Sequence, residues 1–335
     1  MGEFDLIERY FKAPARAMRP NDAVALGIGD DCALLQPAAG MQLAISSDML
    51  VEGRHFFADV DPFTLGHKAL AVNLSDLAAC GAKPLAFTLA LALPQADDAW
   101  LAPFSRGLLA LAAEHNCALI GGDTTQGPLN ICITVFGEVP KNQALLRGGA
   151  QVGDDIYASG TLGDARLALE AMRGNLALSA EAFTAAKARL EMPTPRVALG
   201  MALRGIATSA IDVSDGLPGD LSHILQQSAV GAVINTAIVT HLLAINLIAL
   251  KTTNTPANGQ SDLENKLKYA LSGGDDYELA FTAPVGKRHA VQAAAAASST
   301  PVTRIGRIEA ELGLRLTDAQ GQFVPNNCGS FDHFQ

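Results

Sequence analysis

The sequence has few aromatic and few charged residues, and it contains no long uninterrupted apolar run. Aromatic residues make up 5% and charged residues 17% of the 335 positions, whereas 49% are hydrophobic. Such a chain can bury a large core, and its length predicts two domains. No apolar stretch approaches the roughly 20 residues that span a bilayer, and the first residues, MGEFDLIERYF, contain acids that a signal peptide lacks. We therefore expect a cytoplasmic protein without membrane contact.

Paired cysteines are also absent. The five cysteines are scattered and form no CxxC motif: Cys32, Cys80, Cys117, Cys132 and Cys328. An odd number of cysteines in mostly apolar surroundings is typical of reduced, buried thiols and excludes a disulfide framework.

Basic residues are outnumbered, which gives a net charge of −10. A surface of that sign repels phosphate backbones and anionic lipids, so we expect no nucleic-acid partner and no membrane partner. An acidic protein can still bind a polyanion when metal ions lie between the two.

Several common catalytic motifs are missing. The sequence has no GxxxxGK[ST] phosphate loop, no protein-kinase HRD or DFG motif, and no evident Ser-His-Asp or Cys-His arrangement. The segment GTLGDA (Gly160–Ala165) could offer backbone N–H groups to an anion, although an ordinary strand-to-helix turn is the simpler interpretation.

Helical and strand-like segments alternate along the chain, which predicts a layered α/β (α+β) protein. Predicted helices include Pro62–Cys80 and Arg196–Gly205, and a predicted strand covers Gln42–Ser46. The polar, glycine-containing stretch Pro140–Gly153 predicts a boundary between domains at residues 1–140 and 150–335. The segment TTNTPANGQ (Thr252–Gln260) predicts a mobile loop.

Aspartates recur in short motifs that also contain serine or glycine. LAISSD places Asp48 beside Ser46 and Ser47, and LIGGDTT places Asp123 after two glycines, both at predicted strand ends. The other acids of this set are Asp31, Asp76, Asp212, Asp215 and Asp275. Carboxylates flanked by hydroxyls are hard oxygen ligands that suit Mg²⁺ better than zinc or copper. The set therefore predicts a magnesium site.

Four further acids are expected to terminate elements or to face solvent: Asp30, Asp154, Asp164 and Asp276. The glycine pairs before Asp123 and Asp275 instead indicate that a bulky polar group closely approaches the backbone.

So many acids suit phosphoryl transfer between two anions. Several Mg²⁺ ions can neutralise the mutual repulsion, bridge the phosphates and align the attack. A general base is not needed, because a phosphate monoester with a second pKa near ~6 is already largely ionised at neutral pH.

The ordered motifs resemble one family, the thiamine-monophosphate kinases of the aminoimidazole-ribonucleotide-synthetase-like superfamily. The motifs that carry the resemblance are EFDLIERYF, GIGDDCALL, ISSDMLVEGRHF, KALAVNLSDLAACGA, LIGGDTTQGPL, AIDVSDGLPGDL, LSGGDDYEL and FDHF. They span nearly the whole chain and are together highly specific, with a gap at about Ile238–Leu267.

The resemblance implies two α/β domains, and a homodimer in which the N-terminal domains of two subunits form a shared β-barrel. It also implies that the N-terminal domain binds ATP and metal. The implied substrates are ATP and thiamine monophosphate, and several Mg²⁺ ions are the implied cofactor. The implied magnesium ligands are Asp31, Ser46, Ser47, Asp48, Asp76, Asp123, Asp212 and Asp215. The implied ATP contacts are Gly122, Asp123, Arg147 and Ser214, and the implied substrate contacts are His55, Asp275 and Phe331. No catalytic residue separate from the metal ligands is implied.

The sequence departs from the family pattern at three of these positions. Asp275 stands where Glu is common, and its side chain reaches about one methylene less far. Ser47 replaces a frequent Thr and keeps the hydroxyl, and Phe331 replaces a frequent Tyr or Trp and keeps the ring. Two alternatives are another ATP-using synthetase of the superfamily and a catalytically silent ATP- or metal-binding regulator.

Overall fold

The structure is a computed structural model that describes residues 2–18, 21–243 and 262–326. It divides into two compact units. Unit 1 contains Met1–Leu77 and Ala82–Ala144, and unit 2 contains Ala78–Gly81 and Leu145–Gln335. The predicted domain bounds and the division of roles between the domains stay a prediction.

Unit 1 combines helices with one main sheet and a short hairpin. Its elements are α1 (Glu3–Ile7), a π-helical turn (Glu8–Lys12), α2 (Ala13–Arg16), β1 (Val24–Leu26), β2 (Leu34–Leu35), β3 (Met41–Val51), α3 (Pro62–Ala79), β4 (Lys83–Leu93), α4 (Asp98–Glu114), β5 (Ala118–Gln126) and β6 (Asn130–Pro140).

Over the described residues, the main sheet of unit 1 has four strands in the order β3-β6-β4-β5. Strands β4 and β5 are parallel because α4 crosses over between them, and the other pairs are antiparallel. Successive side chains of a strand point to opposite faces. On β3, Leu43, Ile45 and Met49 therefore share one face, where they are 45%, 60% and 52% exposed. These side chains give β3 an open apolar face.

Helices α3 and α4 approach each other through bare backbone. A Cβ atom added to Gly66 would collide with the carbonyl oxygen of Phe104, and one added to Gly107 would collide with that of Phe63. The missing side chains let the two helices pack at very short range.

Unit 2 is built around a larger mixed sheet. Its elements are β7 (Asp155–Ser159), α5 (Asp164–Met172), α6 (Ala180–Glu191), α7 (Val197–Ala202), β8 (Ser209–Val213), α8 (Leu217–Ser228), β9 (Gly231–Asn235), α9 (Thr236–Val239), a 3-10 turn (Thr240–Leu242), α10 (Asp262–Ser272), β10 (Glu278–Ala283), a 3-10 turn (Val285–Lys287), α11 (Arg288–Ala297), β11 (Val302–Glu309), β12 (Gly313–Thr317) and β13 (Phe323–Val324).

The described part of this sheet has seven strands in the order β13-β12-β9-β11-β7-β10-β8. Strands β12 and β9 are parallel, and the remaining pairs are antiparallel. All residues of β7, β8 and β10 are buried. Their apolar side chains join those of α5, α6 and α8 in one core.

Several local expectations need correction. Asp48 and Asp123 lie inside β3 and β5 and not at strand ends, because both strands continue past their polar motifs. Helix α7 ends at Ala202, short of the predicted Gly205. Cys32 is exposed and not buried, although none of the described cysteines forms a disulfide.

The predicted helix Pro62–Cys80 is confirmed as α3. The predicted loop Thr252–Gln260 lies outside the described residues, as does Cys328. None of the described helices is long and apolar enough to cross a membrane.

Candidate active site

In unit 1, strand β3 and helix α3 bring three of the predicted ligands together. Ser46 and Asp48 lie on the face of β3 that meets α3, since they are two positions apart. The hydroxyl of Ser46 donates a hydrogen bond to Asp76 Oδ2. The backbone N–H of Asp48 donates to Asn73 Oδ1 at 3.1 Å. The sequence analysis missed Asn73, which is 1% exposed and also donates to the carbonyl of Ala69 at 3.0 Å.

Ser47 points to the opposite face of β3. Its hydroxyl lies 3.1 Å from the carbonyl oxygen of Ile133 and 3.0 Å from Thr134 Oγ1, both on β6. The alternation of a strand separates adjacent side chains. The pair Ser46–Ser47 therefore supplies one hydroxyl to each face of the sheet, which the motif alone did not indicate.

Gly122 and Asp123 lie on β5, at the other edge of the same sheet. Strands β6 and β4 lie between β5 and β3 in the sheet order, so strand pairing does not bring Asp123 beside Asp48. Gly122 has a φ of +147°, and a Cβ atom there would collide with the carbonyl oxygen of Leu89. The position requires glycine because of this close approach, and Asp123 beside it is exposed.

Two further predicted residues of unit 1 lie in turns. Asp31 is exposed, and its N–H donates to Asp30 Oδ1 at 3.0 Å. His55 follows β3, and its Nδ1 accepts the N–H of Val51 at 3.0 Å. A ring nitrogen that accepts a hydrogen bond carries no proton, so the neutral ring has its proton on Nε2.

In unit 2, the carboxyl end of β8 gathers four predicted residues. Asp212 pairs with Leu279 across β8 and β10, and Ser214 and Asp215 follow directly. The N–H of Asp275 donates to the carbonyl of Ser214 at 2.8 Å. The two aspartate motifs, AIDVSDG and SGGDDYEL, are therefore neighbours in the fold.

The loop before β10 has an unusual backbone. Asp275 and Tyr277 have φ values of +65° and +51°. Residues other than glycine occupy this left-handed region at a cost of about 1–3 kcal/mol each, and such strain clusters at functional sites. The hydroxyl of Tyr277 lies 3.3 Å from Asp275 Oδ1. Tyr277 thus contacts Asp275, a predicted substrate contact, and the sequence motifs did not indicate this partner.

Asp220 is a second residue that the sequence analysis missed. It lies in the first turn of α8 and is 4% exposed, and its Oδ2 accepts the N–H groups of Ser214 and Asp215 at 3.1 Å each. Burial raises the pKa of Asp220 to about 7, against the opposing effect of the hydrogen bond from the Asp215 amide. A capping pattern, an acid shortly after a predicted helix start, could have revealed it.

The acids expected to terminate elements or face solvent are mostly buried. Asp276 is 1% exposed, and its carboxylate oxygens lie 2.8 and 3.0 Å from the N–H of Gly163. Burial raises the pKa of Asp276 well above its usual value. Asp154 and Asp164 are buried as well. All three lie at or shortly before the start of an element (β7, α5 or β10), as one half of the expectation had it, and none of them faces solvent. The N–H of Gly163 in the GTLGDA turn therefore binds the carboxylate of Asp276 inside the protein and is not directed at an external anion.

Glu278 forms a buried ion-pair network in unit 2. Its side chain is fully buried and accepts two hydrogen bonds from Arg196, at 2.7 and 2.6 Å, and one from Arg189 at 2.7 Å. Such a two-pronged guanidinium contact fixes geometry as well as charge. It lies three residues after Asp275 and anchors the start of β10.

Arg147 belongs to unit 2 and is exposed. The carbonyl of Leu146 accepts the N–H of Ala210 at 2.9 Å, which fixes this segment beside β8. Phe331 lies outside the described residues.

The donor chemistry of these residues fits magnesium, since it consists of carboxylate and hydroxyl oxygens. Within the described residues, no group of three or more His, Cys, Asp or Glu side chains lies close enough together to hold a metal ion. The predicted ligands are divided between unit 1 and unit 2, and the complete ligand set stays a prediction.

Comparison with known proteins supports the resemblance along the whole chain. Residues 29–139 match the family "AIR synthase related protein, N-terminal domain", and residues 151–319 match the family "AIR synthase related protein, C-terminal domain". The fold is therefore the two-domain AIR-synthase-like fold, with mixed α/β content.

The thiamine-monophosphate kinase of Escherichia coli (strain K12) is 44% identical over 335 residues, which cover 99% of this chain and 98% of that protein. The crystal structure of the corresponding kinase from Stenotrophomonas maltophilia K279a is 45% identical, with a TM-score of 0.81, and covers 94% of this chain and 96% of that one. The structure of AaThiL complexed with AMPPCP and TMP is 27% identical, with a TM-score of 0.75, and covers 99% and 97% of the two chains. The chain belongs to the thiamine-monophosphate kinase family.

Proposed function

We propose that this protein transfers the γ-phosphoryl group of ATP to the phosphate of thiamine monophosphate, giving thiamine diphosphate and ADP. The observation that carries the proposal is the 44% identity to a thiamine-monophosphate kinase over essentially the whole of both chains. The related AaThiL was solved with AMPPCP and TMP, which supports ATP and thiamine monophosphate as the two substrates. We place the reaction in the cytoplasm, where thiols stay reduced.

The transfer is direct and in line. A phosphate oxygen of thiamine monophosphate attacks the γ-phosphorus of ATP, the bond from that phosphorus to the β,γ-bridging oxygen breaks, and ADP leaves with that oxygen. The acceptor phosphate is already largely ionised at neutral pH, so no residue has to remove a proton. The protein's task is to position two anions and to stabilise the transition-state charge.

Magnesium, when bound, would supply positive charge that offsets the repulsion between the two phosphate groups. The residues that would hold it are the predicted oxygen ligands Asp31, Ser46, Asp48, Asp76, Asp123, Asp212 and Asp215. The hydroxyl of Ser47, the remaining predicted ligand, lies on the opposite face of β3 from the side chains of Ser46 and Asp48. In support, Ser46 and Asp48 share the α3 face of β3, where Ser46 contacts Asp76.

The substrate contacts follow from local chemistry. We propose His55 as one contact of thiamine monophosphate, because it lies in the turn after β3 and its ring is held there by the hydrogen bond that Nδ1 accepts from the N–H of Val51. Asp275 and Phe331 are the other proposed substrate contacts. On the nucleotide side, Gly122 and Arg147 are the proposed ATP contacts, and the Arg147 guanidinium can donate to phosphate oxygens.

We also propose a homodimer formed through the open face of unit 1. Leu43, Ile45 and Met49 expose apolar side chains on an edge strand, and such a surface favours association with another protein chain. The variant Ile45→Lys should shift the molar mass measured by light scattering towards that of a monomer. Leu312→Lys, at a 69% exposed site in unit 2, is the matched control and should leave the mass unchanged. A monomeric wild-type protein would contradict the proposal.

A coupled product analysis tests the activity. The protein is incubated with ATP, Mg²⁺ and one acceptor at a time: thiamine, thiamine monophosphate or thiamine diphosphate. We expect equal amounts of thiamine diphosphate and ADP with thiamine monophosphate, and no comparable product with the other two. ATP binding without turnover would favour a silent regulator instead.

The direct mechanism has its own test. Single-turnover reactions with ATP labelled at the γ-phosphate should give labelled thiamine diphosphate without labelled protein. Recovery of a phosphorylated residue at a rate that matches product formation would overturn direct transfer.

A further inference from the structure

Asp220 holds the turn that contains two predicted site residues. The turn runs from Val213, the last residue of β8, to Leu217, the first residue of α8. Asp220 lies one turn into that helix, and its carboxylate reaches back to the N–H groups of Ser214 and Asp215. Both hydrogen bonds are 3.1 Å long and end on the same oxygen, Oδ2. One buried atom thus fixes two consecutive peptide groups.

The same turn is held from its other side by the loop before β10. The carbonyl of Ser214 accepts the N–H of Asp275 at 2.8 Å, and the carbonyl of Val213 accepts the N–H of Tyr277 at 2.9 Å. Ser214 is therefore fixed at both its N–H and its C=O group. An added Cβ at Gly274 would lie 2.5 Å from the Ser214 carbonyl oxygen, so this loop packs tightly against the turn.

We propose that Asp220 is a positioning residue, which fixes the Ser214–Asp215 turn so that these two side chains meet the nucleotide and its cation in a set geometry. The proposal rests on the proposed function and adds a residue to it. Asp220 touches neither substrate. It acts through the backbone of the two residues that do, as groups behind a binding site commonly orient the ligands in front of them.

The atoms involved allow a sharp distinction between positioning and metal binding. Because a single oxygen accepts both N–H groups, asparagine can replace Asp220 and keep both hydrogen bonds through its one carbonyl oxygen. Alanine cannot keep either bond. A direct metal ligand behaves differently, since asparagine would remove the negative charge that the cation requires.

The test compares Asp220→Asn and Asp220→Ala with the wild-type protein. Asp220→Ala should raise the apparent KM for Mg·ATP by about 10- to 100-fold, while the KM for thiamine monophosphate changes less than about twofold. Asp220→Asn should stay within about threefold of wild type in both constants. Binding of a non-hydrolysable ATP analogue with Mg²⁺, measured by calorimetry, should weaken in parallel with the KM for Mg·ATP.

Asp154 provides the matched control. It is 4% exposed, and its Oδ2 accepts the N–H of Gln151 at 3.0 Å and the hydroxyl of Thr208 at 2.6 Å. It precedes β7 and therefore lies at the opposite end of the sheet from Asp212. Asp154→Ala should lower the melting temperature without changing either KM.

Three outcomes would overturn the proposal. Equal losses for Asp220→Asn and Asp220→Ala would make Asp220 a charge-dependent ligand. A lowered melting temperature with unchanged KM and unchanged analogue binding for Asp220→Ala would make its role merely structural. If Asp220→Ala does not fold, Asp220→Glu replaces it, because the extra methylene displaces the oxygen and should raise the KM for Mg·ATP several-fold; an unchanged KM would also overturn the proposal.

Failure of the proposed function has a different signature. In that case the wild-type protein forms no thiamine diphosphate. The analogue-binding comparison of the Asp220 variants can then still be read, because it requires no turnover.

Discussion

The predicted ligands of unit 1 and the loop-holding carboxylates of unit 2 lie in opposite surroundings. In unit 1 the predicted ligands Asp31, Asp48, Asp76 and Asp123 are exposed or half-buried. In unit 2, by contrast, buried carboxylates accept backbone N–H groups or arginine, as Asp220, Asp276 and Glu278 do. The same residue types are therefore proposed ligands in the first setting and hold loops in the second. A motif reveals neither the burial of an acid nor its partners.

The largest effect should come from a proposed ligand in unit 1. Asp48→Asn should lower kcat/KM by about 10²- to 10³-fold, because it removes charge that is arranged around the transferring phosphoryl group. Steady-state kinetics at saturating Mg²⁺ measure this loss.

Asp276→Asn in unit 2 is the paired control. Burial favours the neutral form of this carboxyl group, and asparagine is neutral and keeps an acceptor for the N–H of Gly163. The activity should stay within about tenfold of wild type. Equal losses for the two variants would mean that the two units do not differ in the way described.

A loop-holding acid of unit 2 should instead affect stability. Glu278→Gln should reduce the free energy of unfolding by about 3 kcal/mol, because Arg189 and Arg196, both mostly buried, lose their charged partner. Urea denaturation measures the change. A loss below about 1 kcal/mol would show that these buried pairs behave like surface pairs.

The pH dependence of unit 2 gives a smaller effect. Hydrogen bonds from Arg288 lower the pKa of Asp155, which is 2% exposed. A lowered pKa in the folded state gives stability that is present above the unfolded pKa of about 3.9 and is lost as the pH falls through the folded value. Asp155→Asn should therefore cost about 2 kcal/mol at pH 7 and progressively less below pH 4. Thermal unfolding of the wild-type protein and the variant between pH 7 and pH 3 measures this difference in stability. A difference that does not shrink as the pH falls would contradict the prediction.

The smallest effect should come from an exposed ion pair of unit 1. Arg9 Nη1 and Asp98 Oδ2 are 3.1 Å apart, and both side chains are more than half exposed. Asp98→Asn should change the free energy of unfolding by less than about 1 kcal/mol, and less again at high salt. A loss of stability as large as that expected for Glu278→Gln would contradict the difference between exposed and buried ion pairs.

The family and the α/β class could be predicted because the order of motifs and the spacing of apolar residues can both be read directly from the sequence. The sequence predicted α3 within a residue, since eighteen residues of helical pattern carry a strong signal. Asp48 and Asp123 were wrongly predicted at strand ends. Short polar motifs are typical of turns, although here they lie within strands, at positions that are exposed or face a helix. Nothing in the sequence indicated that Ser46 and Ser47 would face opposite sides, which depends on the strand continuing past them.

The supporting residues were the hardest to predict. Asn73 and Glu278 contact groups far away in the sequence: Asn73 accepts the N–H of Asp48 across 25 positions, and Glu278 binds Arg196 across 82 positions. A single sequence does not encode such distances in any local pattern. Asp276 was misjudged for the same reason, because its partner Gly163 lies 113 positions earlier.

The glycine contact between α3 and α4 sets how accurately Asp76 can be placed. Gly66 lies ten residues before Asp76, which is about 15 Å along a helix that rises 1.5 Å per residue. A methyl group added at Gly66 or Gly107 would force the two helices apart. If α3 then tilted by a few degrees, Asp76 would move by about 1 Å, a shift that matters for a group that must be placed accurately. The two glycines therefore fix the position of α3 against α4, and with it the position of Asp76.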